Sequence, residues 1–339
     1  MIKDKNISSV LVTGGSGFIG SNFILKSCEM FPKVQFTNID NLSYAVSQKT
    51  QIELLKFKNY SFVHLDICDQ NLVKKIFEEN AFDLVIHFAA ESHVDNSISD
   101  PSQFIQTNII GTFNLLNTIR HIDSDRQTST LFHHISTDEI FGSLEMNDPA
   151  FTEHSNYQPS SPYSASKTSS DMLVEAWGRT YGLNFLITNC SNNFGPRQYL
   201  EKLIPKVIIH SLKGIKIPVY GSGKNVRDWL HVDDHIGAIH SLYSSGMFIN
   251  ERFNIGGGYE ISNIDIIELI LQIMVEKYNL SNSQDLIQFV EDRKGHDFRY
   301  AINSQKLKDT TGWKPVVSFA DHMIGTIDWY VNNHDWWED

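Results

Sequence analysis

Cysteine is scarce in this sequence, and its spacing shows no pairing. The 339-residue chain has 3 cysteines, Cys28, Cys68 and Cys190, and no two of them form a C-x-x-C pair. A disulfide framework or a thiolate zinc site needs cysteines in closely spaced sets, so the sequence argues against both. Sparse, unpaired cysteines are typical of a reducing compartment, and we expect a cytoplasmic protein.

The chain also lacks an excess of positive charge and long apolar runs. Lysine and arginine number 28 against 40 aspartate and glutamate residues, which gives a net charge of −12. Nucleic-acid phosphates require a basic surface, so we expect no nucleic-acid partner. The most apolar helical stretch, 264–275, contains Asp265 and Glu268, and serines interrupt the short apolar run at 7–12. We therefore expect no membrane span and no secretory signal.

What the sequence does have is a regular alternation of β-branched runs and helical patterns. The predicted strands are 10–13, 35–40, 60–65, 84–88, 131–136 and 183–189. This alternation predicts an α/β fold, a Rossmann-type doubly wound parallel sheet with a smaller C-terminal α/β lobe for substrate. We place the dinucleotide-binding domain at 1–190, with about 225–262 returning to it. The substrate lobe is expected at about 191–224 and 263–339.

A glycine-rich loop follows the first predicted strand and opens a helix. Gly15, Gly17 and Gly20 form G-x-G-x-x-G, and Asp40 ends the next predicted strand. Such glycines allow a tight turn and close approach of the backbone to a pyrophosphate. A carboxylate at position 40 accepts hydrogen bonds from the adenosine ribose and repels a 2′-phosphate, so we expect NAD. NADP stays open at this point.

A Tyr-x-x-x-Lys pair begins a second predicted helix. Ser161 is placed to cap this helix with Pro162 in its first position, so Tyr163 and Lys167 lie one turn apart on one face. A free tyrosine, with a pKa of ~10, is a poor base near neutrality. We expect the Lys167 ammonium to lower the pKa of Tyr163 and to bind the nicotinamide ribose. The alternative is a buried tyrosine beside a surface lysine.

The third signal is a polar run at the carboxyl end of the fifth predicted strand. Ser136, Thr137, Asp138 and Glu139 lie where open α/β sheets place their chemistry. Two adjacent carboxyl groups there are suited to acid and base roles. The alternative is a helix start, where acidic residues favour the N-terminal dipole.

With these elements the chain resembles the extended short-chain dehydrogenase/reductases, and within them the nucleotide-sugar 4,6-dehydratases. The resemblance runs from the glycine loop to about Trp313. Its further segments are HFAAESHVD at 87–95, TN at 107–108 with GT at 111–112, ISTDE at 135–139, SNN at 191–193, EKLIP at 201–205, NVRDWL at 225–230, and DR, GHD and RY within 292–300.

The resemblance implies a role for each catalytic residue. Tyr163, with Lys167 beside it, would take the proton from the sugar 4-hydroxyl while hydride leaves C4 for NAD, and Thr137 would bond the same oxygen. Glu139 would be the base at C5, and Asp138 the acid that protonates the departing C6 hydroxyl. Return of hydride to C6 gives a 4-keto-6-deoxy sugar.

The resemblance also implies binding residues and a homodimer. The expected cofactor residues are Gly14, Gly15, Gly17, Phe18, Ile19, Gly20, Asp40, Asn41, Ser43, Asp66, Ile67, Ala89, Ala90, Asn108, Ser136, Tyr163 and Lys167. The expected substrate residues are Ser92, His93, Asn193, Lys202, Leu203, Pro218, Tyr220, Arg227, Asn263, Arg293 and His296, with the two arginines on the diphosphate. The helices at 107–120 and 163–181 are rich in apolar residues such as Leu115, Leu116, Leu173, Val174 and Trp177, which favours a four-helix dimer interface.

Several positions depart from the family pattern and leave the substrate open. Asn96 and Asn189 replace arginines, and Arg197 replaces a tyrosine. Leu200 and Lys294 replace prolines, and Val46-Ser47 replace Gly-Asn. We expect dTDP-glucose as the substrate, and a UDP-sugar such as UDP-N-acetylglucosamine is the alternative. A 4-epimerase and a catalytically silent nucleotide-sugar binder are further alternatives.

We expect no metal, because His231 and His235 lack the glutamate of a zincin motif and adjacent His133 and His134 face opposite sides of a strand.

Overall fold

The computed structural model describes residues 7–246, 249–280 and 283–338. Its strands are β1 (Ser9–Thr13), β2 (Gln35–Asp40), β3 (Tyr60–His64), β4 (Leu84–His87), β5 (Leu131–Thr137), β6 (Asn184–Cys190), β7 (Asn192–Phe194), β8 (Ile217–Tyr220), β9 (Val226–His231), β10 (Glu251–Ile255), β11 (Glu260–Ser262) and β12 (Ile287–Val290). Its α-helices are α1 (Phe18–Met30), α2 (Gln48–Leu54), α3 (Gln70–Glu79), α4 (Val94–Ser99), α5 (Ser102–Phe104), α6 (Thr112–Arg126), α7 (Pro162–Tyr181), α8 (Leu203–Lys213), α9 (Val232–Ser245), α10 (Asn263–Tyr278), α11 (Gln305–Thr311), α12 (Phe319–Asn332) and α13 (His334–Trp337).

The central sheet is parallel and has the strand order β10-β6-β5-β4-β1-β2-β3. All six predicted strands lie in it, so the predicted Rossmann-type fold is confirmed. The sequence analysis missed β10, which pairs with β6 at the sheet edge. Strand order reverses between β1 and β4, and such a switch point opens a crevice at the carboxyl ends of the strands.

Smaller sheets follow β6 in the chain. Strand β9 pairs with β7 and β11, and β12 pairs with β8. A third apolar cluster, separate from the two beside the central sheet, gathers α8, α10 and α12 around residues such as Ile208, Ile270 and Tyr330. The domain boundaries proposed from the sequence stay a prediction.

Helix α3 shows how the sequence directs local structure. Asp69 caps it by accepting hydrogen bonds from the backbone N–H groups of Asn71 and Leu72. Val73, Ile76 and Phe77 recur at helical spacing, and all three are buried in the cluster on one face of the sheet. The apolar stripe therefore decides which side of α3 faces the sheet.

The helix predicted at 107–120 begins differently from the prediction. A π-helix occupies Ile105–Gly111, and α6 starts only at Thr112. The Thr112 hydroxyl donates a hydrogen bond to the carbonyl oxygen of Asn108 at 2.6 Å, where a regular α-helix uses a backbone N–H. Such a hydroxyl competes with backbone N–H groups for a helical carbonyl.

The apolar residues of α6 and α7 serve the monomer core more than the prediction assumed. Leu115, Leu116 and Val174 are fully buried against the sheet, whereas Leu173 and Trp177 pack at the edge of the same cluster. The first three are therefore excluded from a dimer interface. Across the described ranges, no helix is both long and apolar enough to cross a membrane.

Candidate active site

The glycine loop is shaped by contacts that leave no room for side chains. Gly14 has φ +68°, and a Cβ at Gly14 or Gly15 would lie about 2.5 Å from Ala89 or Ile24. A Cβ at Gly20 would lie 2.4 Å from the Gly14 carbonyl oxygen, so α1 can pack closely on the loop only with glycine there. At Gly17 the nearest atom would be 3.4 Å away, because this residue faces the cavity. The loop therefore offers bare backbone to a pyrophosphate, as the motif predicts.

Asp40 fastens this loop to the end of β2. Its carboxylate accepts hydrogen bonds from the backbone N–H groups of Ser16, at 3.0 Å, and Leu42, at 2.8 Å. Burial raises the pKa of Asp40, and these two backbone hydrogen bonds oppose the rise. The carboxylate lines the cavity wall and keeps lone pairs for a ribose diol.

A cavity of about 310 Å³ lies along the carboxyl edge of the sheet. Its walls include most of the residues expected to bind the cofactor: Gly14, Gly17, Phe18, Ile19, Gly20, Asp40, Asn41, Ser43, Asp66, Ile67, Ala89, Ala90, Ser136, Tyr163 and Lys167. Gly15 and Asn108 lie behind the wall, where the Asn108 amide bonds the backbone of Glu91 and the hydroxyl of Ser166. Glycine loop, Asp40 and cavity together fit a dinucleotide such as NAD.

The end of β5 carries the polar run into this cavity. Thr137, Asp138 and Glu139 all line it. The backbone N–H of Glu139 donates to the Thr137 hydroxyl at 3.3 Å, and a short 3-10 turn follows over Asp138–Phe141. The alternative prediction of a helix start is therefore correct for the backbone, yet both carboxyl side chains face the cavity.

The two adjacent carboxyl groups have different surroundings. Burial raises the pKa of Asp138 well above its usual range, and the nearby Glu139 and Asp228 carboxylates raise it further. Burial also raises the pKa of Glu139, but the positive charges of Arg227 and Lys202 oppose that rise. Oδ2 of Asp138 is buried without a hydrogen-bond partner among the described residues. Asp138 is thus suited to be a proton donor and Glu139 a proton acceptor.

Helix α7 presents the Tyr-Lys pair as predicted. Ser161 caps the helix in a reciprocal capping box with Ser164, and Pro162 occupies its first turn. Tyr163 and Lys167 follow one turn apart, and both are buried and line the cavity. The predicted local structure is confirmed.

The electrostatics of this pair differ from the expectation. Burial raises the pKa of Tyr163 well above its usual range, the Glu139 charge adds to the rise, and a hydrogen bond with Thr137 opposes it. The Lys167 ammonium donates to the carbonyl oxygen of Ile135 at 2.9 Å. Burial lowers the pKa of Lys167 to about 8, although the charges of Asp171 and Cys190 oppose this fall. Burial and the Glu139 charge therefore outweigh the lowering of the Tyr163 pKa that was expected from Lys167.

A second cavity of about 190 Å³ adjoins the first. Its walls include every residue expected to bind substrate: Ser92, His93, Asn193, Lys202, Leu203, Pro218, Tyr220, Arg227, Asn263, Arg293 and His296. Glu139, Ser92, Asn193 and Lys202 line both cavities, so these residues mark the junction. Glu139 thus lies where the two cavities join, and Asp138 lies beside it in the first cavity.

The two arginines of the second cavity are held in different ways. Arg227 is buried, lies 4.4 Å over the ring of Tyr300 and donates to the carbonyl oxygens of Val226 and Asp297. Arg293 pairs with the Asp95 carboxylate, with Nε–Oδ1 at 2.5 Å. An incoming diphosphate would compete with Asp95 for Arg293.

Other residues of the two cavities were missed by the sequence analysis. They include Gln198, Tyr199, Glu201, Lys206, Trp229, Asp297 and Tyr300, and of these Gln198 and Glu201 line both cavities. Glu201 precedes the predicted Lys202, and its carboxylate accepts a hydrogen bond from Tyr44 at 3.2 Å. Glu201 opens the EKLIP segment at 201–205, and the resemblance of that segment to the family was the signal available for it.

Two departures from the family pattern have a structural explanation. Asn189 donates to the Thr137 carbonyl oxygen at 3.1 Å and accepts from Arg252 at 2.6 Å. The guanidinium that the family pattern has at position 189 is thus supplied by Arg252 of the neighbouring strand β10. Arg197 forms a bidentate pair with Glu53 of α2, with its Nη2 2.9 Å from both carboxylate oxygens. Nothing in the structure explains Lys294.

The histidines considered as metal ligands have other partners. His133 bonds Tyr243 and Thr188, and His134 faces Asp171 at 3.2 Å on the other side of β5. His231 lies just before α9 and caps it, whereas His235 lies inside it and bonds Asn193 at 2.9 Å. Within the residues that the structure describes, no three potential ligands form a cluster.

Comparisons with known proteins agree with this geometry. The model of the GDP-mannose 4,6-dehydratase family matches residues 11–325. A curated dTDP-glucose 4,6-dehydratase of Escherichia coli is 44% identical over 97% of this chain and 95% of its own length. The crystal structure of the dTDP-glucose 4,6-dehydratase from Streptomyces venezuelae, solved with NAD, superposes with TM-score 0.88 at 39% identity, covering 97% of this chain and 99% of that one.

A more distant enzyme shares the architecture. UDP-glucose 4-epimerase from Thermotoga maritima, solved with UDP-glucose, has TM-score 0.84 at 27% identity and covers 96% of this chain and 99% of its own. Fold alone therefore does not separate dehydratase from epimerase. The extent of the family match and the 44% identity nevertheless place the chain, which belongs to the GDP-mannose 4,6-dehydratase family of nucleotide-sugar dehydratases.

Proposed function

We propose that this protein is an NAD-dependent dTDP-glucose 4,6-dehydratase, with its active centre at the junction of the two cavities. The observation that carries the proposal is the position of Asp138 and Glu139, adjacent carboxyl groups with different electrostatic surroundings, beside Thr137 and Tyr163. Identity of 44% to curated dTDP-glucose 4,6-dehydratases over nearly the whole chain supports this substrate over a UDP-sugar.

NAD, when bound, supplies the acceptor for hydride from the sugar C4 and later returns hydride at C6. Tyr163 and Thr137 hold the 4-hydroxyl, and Tyr163 accepts its proton. Acceptance of that proton requires the phenolate form of Tyr163, which burial and Glu139 oppose and the hydrogen bond with Thr137 favours. Lys167 is placed one turn along α7 to bind the nicotinamide ribose.

The ketone formed at C4 makes the C5 proton acidic. Glu139 removes that proton, and Asp138, kept protonated by burial, gives its proton to the departing C6 hydroxyl. One water leaves, and C5 regains a proton when hydride reaches C6. Arg227 and Arg293 bind the diphosphate of the substrate.

A 4-epimerase is the alternative function with a structural basis, since an epimerase shares the fold. An epimerase moves hydride at C4 alone and needs no acid for a C6 hydroxyl, so Asp138 favours the dehydratase. Incubation with dTDP-glucose, UDP-glucose and UDP-N-acetylglucosamine, followed by mass spectrometry, tests the proposal. Loss of one water from dTDP-glucose supports it, whereas an isobaric product or an unchanged sugar contradicts it.

Asp40 should make the protein prefer NAD over NADP. A 2′-phosphate would lie against a buried carboxylate, and such like-charge contacts cost several kcal/mol, or roughly a hundredfold in affinity. We expect Asp40→Asn to narrow this preference, because it removes the charge and keeps the size. Calorimetric titration of both cofactors is the measurement, and tighter binding of NADP by the unmodified protein would refute the role of Asp40.

We also propose a cytoplasmic homodimer. Outward positions of α7 at helical spacing carry small or apolar side chains, Ala165, Met172 and Ala176, and Ile110 is exposed on the neighbouring π-helix. This face is continuous with half-buried Phe113 of α6. The cytoplasmic location is supported by the three free cysteines.

The dimer is tested by the substitution Met172→Glu. A charge in the centre of an apolar interface is left without a partner, so we expect the mass in light scattering to fall from two chains to one. Val316→Glu is the matched control, because Val316 is 89% exposed and lies outside α6 and α7. A monomeric unmodified protein at micromolar concentration would contradict the proposal.

A further inference from the structure

A buried polar cluster lies behind the strand end that carries Thr137. It consists of Asp171 of α7, Asn189 of β6, Arg252 of β10 and His134 of β5, which we call the Arg252 network. All four residues are buried, and both His134 and Asp171 are fully inaccessible. None of the four is among the described residues that line the two cavities.

Arg252 is the centre of this network. Its Nη1 donates to Asp171 Oδ2 at 2.7 Å and to Asn189 Oδ1 at 2.6 Å. Its Nη2, at the outer edge, donates to the Glu175 carboxylate at 3.0 Å and bonds the Tyr157 hydroxyl. The planar fork of a guanidinium allows these contacts at once, which a lysine ammonium cannot reproduce.

Both inner partners of Arg252 lead to catalytic groups. Asn189 uses its amide N–H to bond the Thr137 carbonyl oxygen at 3.1 Å, so it fixes the backbone from which Thr137, Asp138 and Glu139 extend. Asp171 lies one helical turn after Lys167 on the same buried face of α7. The Lys167 ammonium in turn holds the carbonyl oxygen of Ile135, two residues before Thr137.

The charges of the network balance only when Arg252 is present. Burial alone would raise the pKa of Asp171, yet Arg252 and His134 hold it well below its usual range, so Asp171 is a carboxylate. Burial lowers the pKa of His134 to about 4, which leaves its ring neutral. Without Arg252, the buried Asp171 carboxylate is left with the His134 ring at 3.2 Å and with the charge of Lys167, whose pKa Asp171 already raises. An unpaired buried charge is strongly unfavourable.

We propose that Arg252 is a positioning residue for the reaction, which holds Lys167 and the Thr137 backbone in place through Asp171 and Asn189. The role rests on the proposed function, because it concerns the step that Lys167, Tyr163 and Thr137 serve. Arg252 touches neither substrate nor cofactor. Its loss frees the Asn189 amide and draws Lys167 towards Asp171, so it should act on oxidation at C4.

The test compares Arg252→Met, Arg252→Lys and Glu175→Gln with the unmodified enzyme loaded with NAD. Small displacements of positioned groups cost up to about a hundredfold in rate, and we expect Arg252→Met to lower kcat by roughly tenfold to a hundredfold. Arg252→Lys restores the charge without the fork and should recover part of the loss. Glu175→Gln removes the outer partner of the same guanidinium and should leave kcat unchanged.

A kinetic isotope effect separates positioning from loss of folded enzyme. With substrate deuterated at C4, we expect the isotope effect on kcat to rise in Arg252→Met, because C4 oxidation becomes more rate-limiting. A lower fraction of folded enzyme would reduce kcat without changing the isotope effect. A reduced kcat with an unchanged isotope effect, or an unchanged kcat, overturns the proposal.

Two alternative experiments apply if Arg252→Met does not fold or if the unmodified protein is inactive. If Arg252→Met does not fold, Asp171→Asn takes its place, since it removes the buried carboxylate and leaves Arg252 paired with Glu175, and the isotope effect should again rise. If the unmodified protein dehydrates no sugar, the proposed function has failed, and calorimetric binding of NAD decides instead. Arg252→Met should then bind NAD about tenfold more weakly, because displaced Lys167 loses a charged hydrogen bond to the cofactor, and binding equal to that of Glu175→Gln overturns the proposal.

Discussion

The substitution Glu139→Gln is expected to stop the reaction between its two halves. The amide keeps the size of the side chain but cannot accept the C5 proton, and loss of a positioned general base costs about 10²–10⁴-fold in the step it serves. In the proposed mechanism oxidation at C4 depends on Tyr163, Lys167 and Thr137, so it should survive. We expect a 4-keto hexose that retains its C6 hydroxyl, found by mass spectrometry after chemical quenching, and no exchange of the C5 hydrogen with solvent.

The matched control for this variant is Glu145→Gln. Glu145 is exposed and lies six residues further along the chain, away from both cavities. It should turn over as the unmodified enzyme does. Normal turnover by Glu139→Gln would remove Glu139 from the mechanism and return it to the backbone role of an acidic residue at a helical turn.

Tyr163→Phe should block the reaction one step earlier. The ring stays packed, with its centroid 6.3 Å from that of Phe104, but the acceptor for the 4-hydroxyl proton is gone. We expect kcat to fall by about 10²–10⁴-fold. Without a ketone at C4 the C5 proton is not acidic, so neither the 4-keto hexose nor exchange at C5 should be detected.

The control here is Tyr181→Phe on the same helix. Tyr181 is exposed and contacts Arg120 through its ring, which phenylalanine retains. We expect Tyr181→Phe to have the kinetics of the unmodified enzyme. A lower kcat in this control would show that loss of any α7 tyrosine hydroxyl disturbs the protein. Accumulation of the 4-keto hexose in Tyr163→Phe would show that another group takes the first proton.

Local chemistry made much of the fold and the site predictable. Short strands alternate with helices after the glycine loop, so each element shows in the local pattern of apolar residues. Ser161 and Pro162 mark the start of α7. Motif residues such as Arg227 and Arg293 converge on one cavity although they are far apart in sequence. Parallel strands bring their carboxyl ends to one edge, which explains why the glycine loop after β1, Asp40 of β2 and Thr137 of β5 meet at the first cavity.

What could not be predicted depends on contacts between distant segments. Arg252 lies in a short edge strand without a motif, and its partner Asp171 is 81 positions away. The π-helix at Ile105–Gly111 lies in a segment with ordinary helical spacing, so its sequence does not distinguish it from an α-helix. The pKa of Tyr163 follows burial and Glu139 more than its neighbour Lys167, because desolvation depends on the tertiary fold.

The most direct test of the central claim is turnover of dTDP-glucose by the NAD-loaded protein in deuterium oxide, followed by mass spectrometry and NMR of the product. In the proposed mechanism Glu139 removes the C5 proton and C5 regains one from solvent, so the product should have lost one water and carry one deuterium at C5. An isobaric sugar without deuterium, or a dehydrated product with its original hydrogen at C5, would contradict the account.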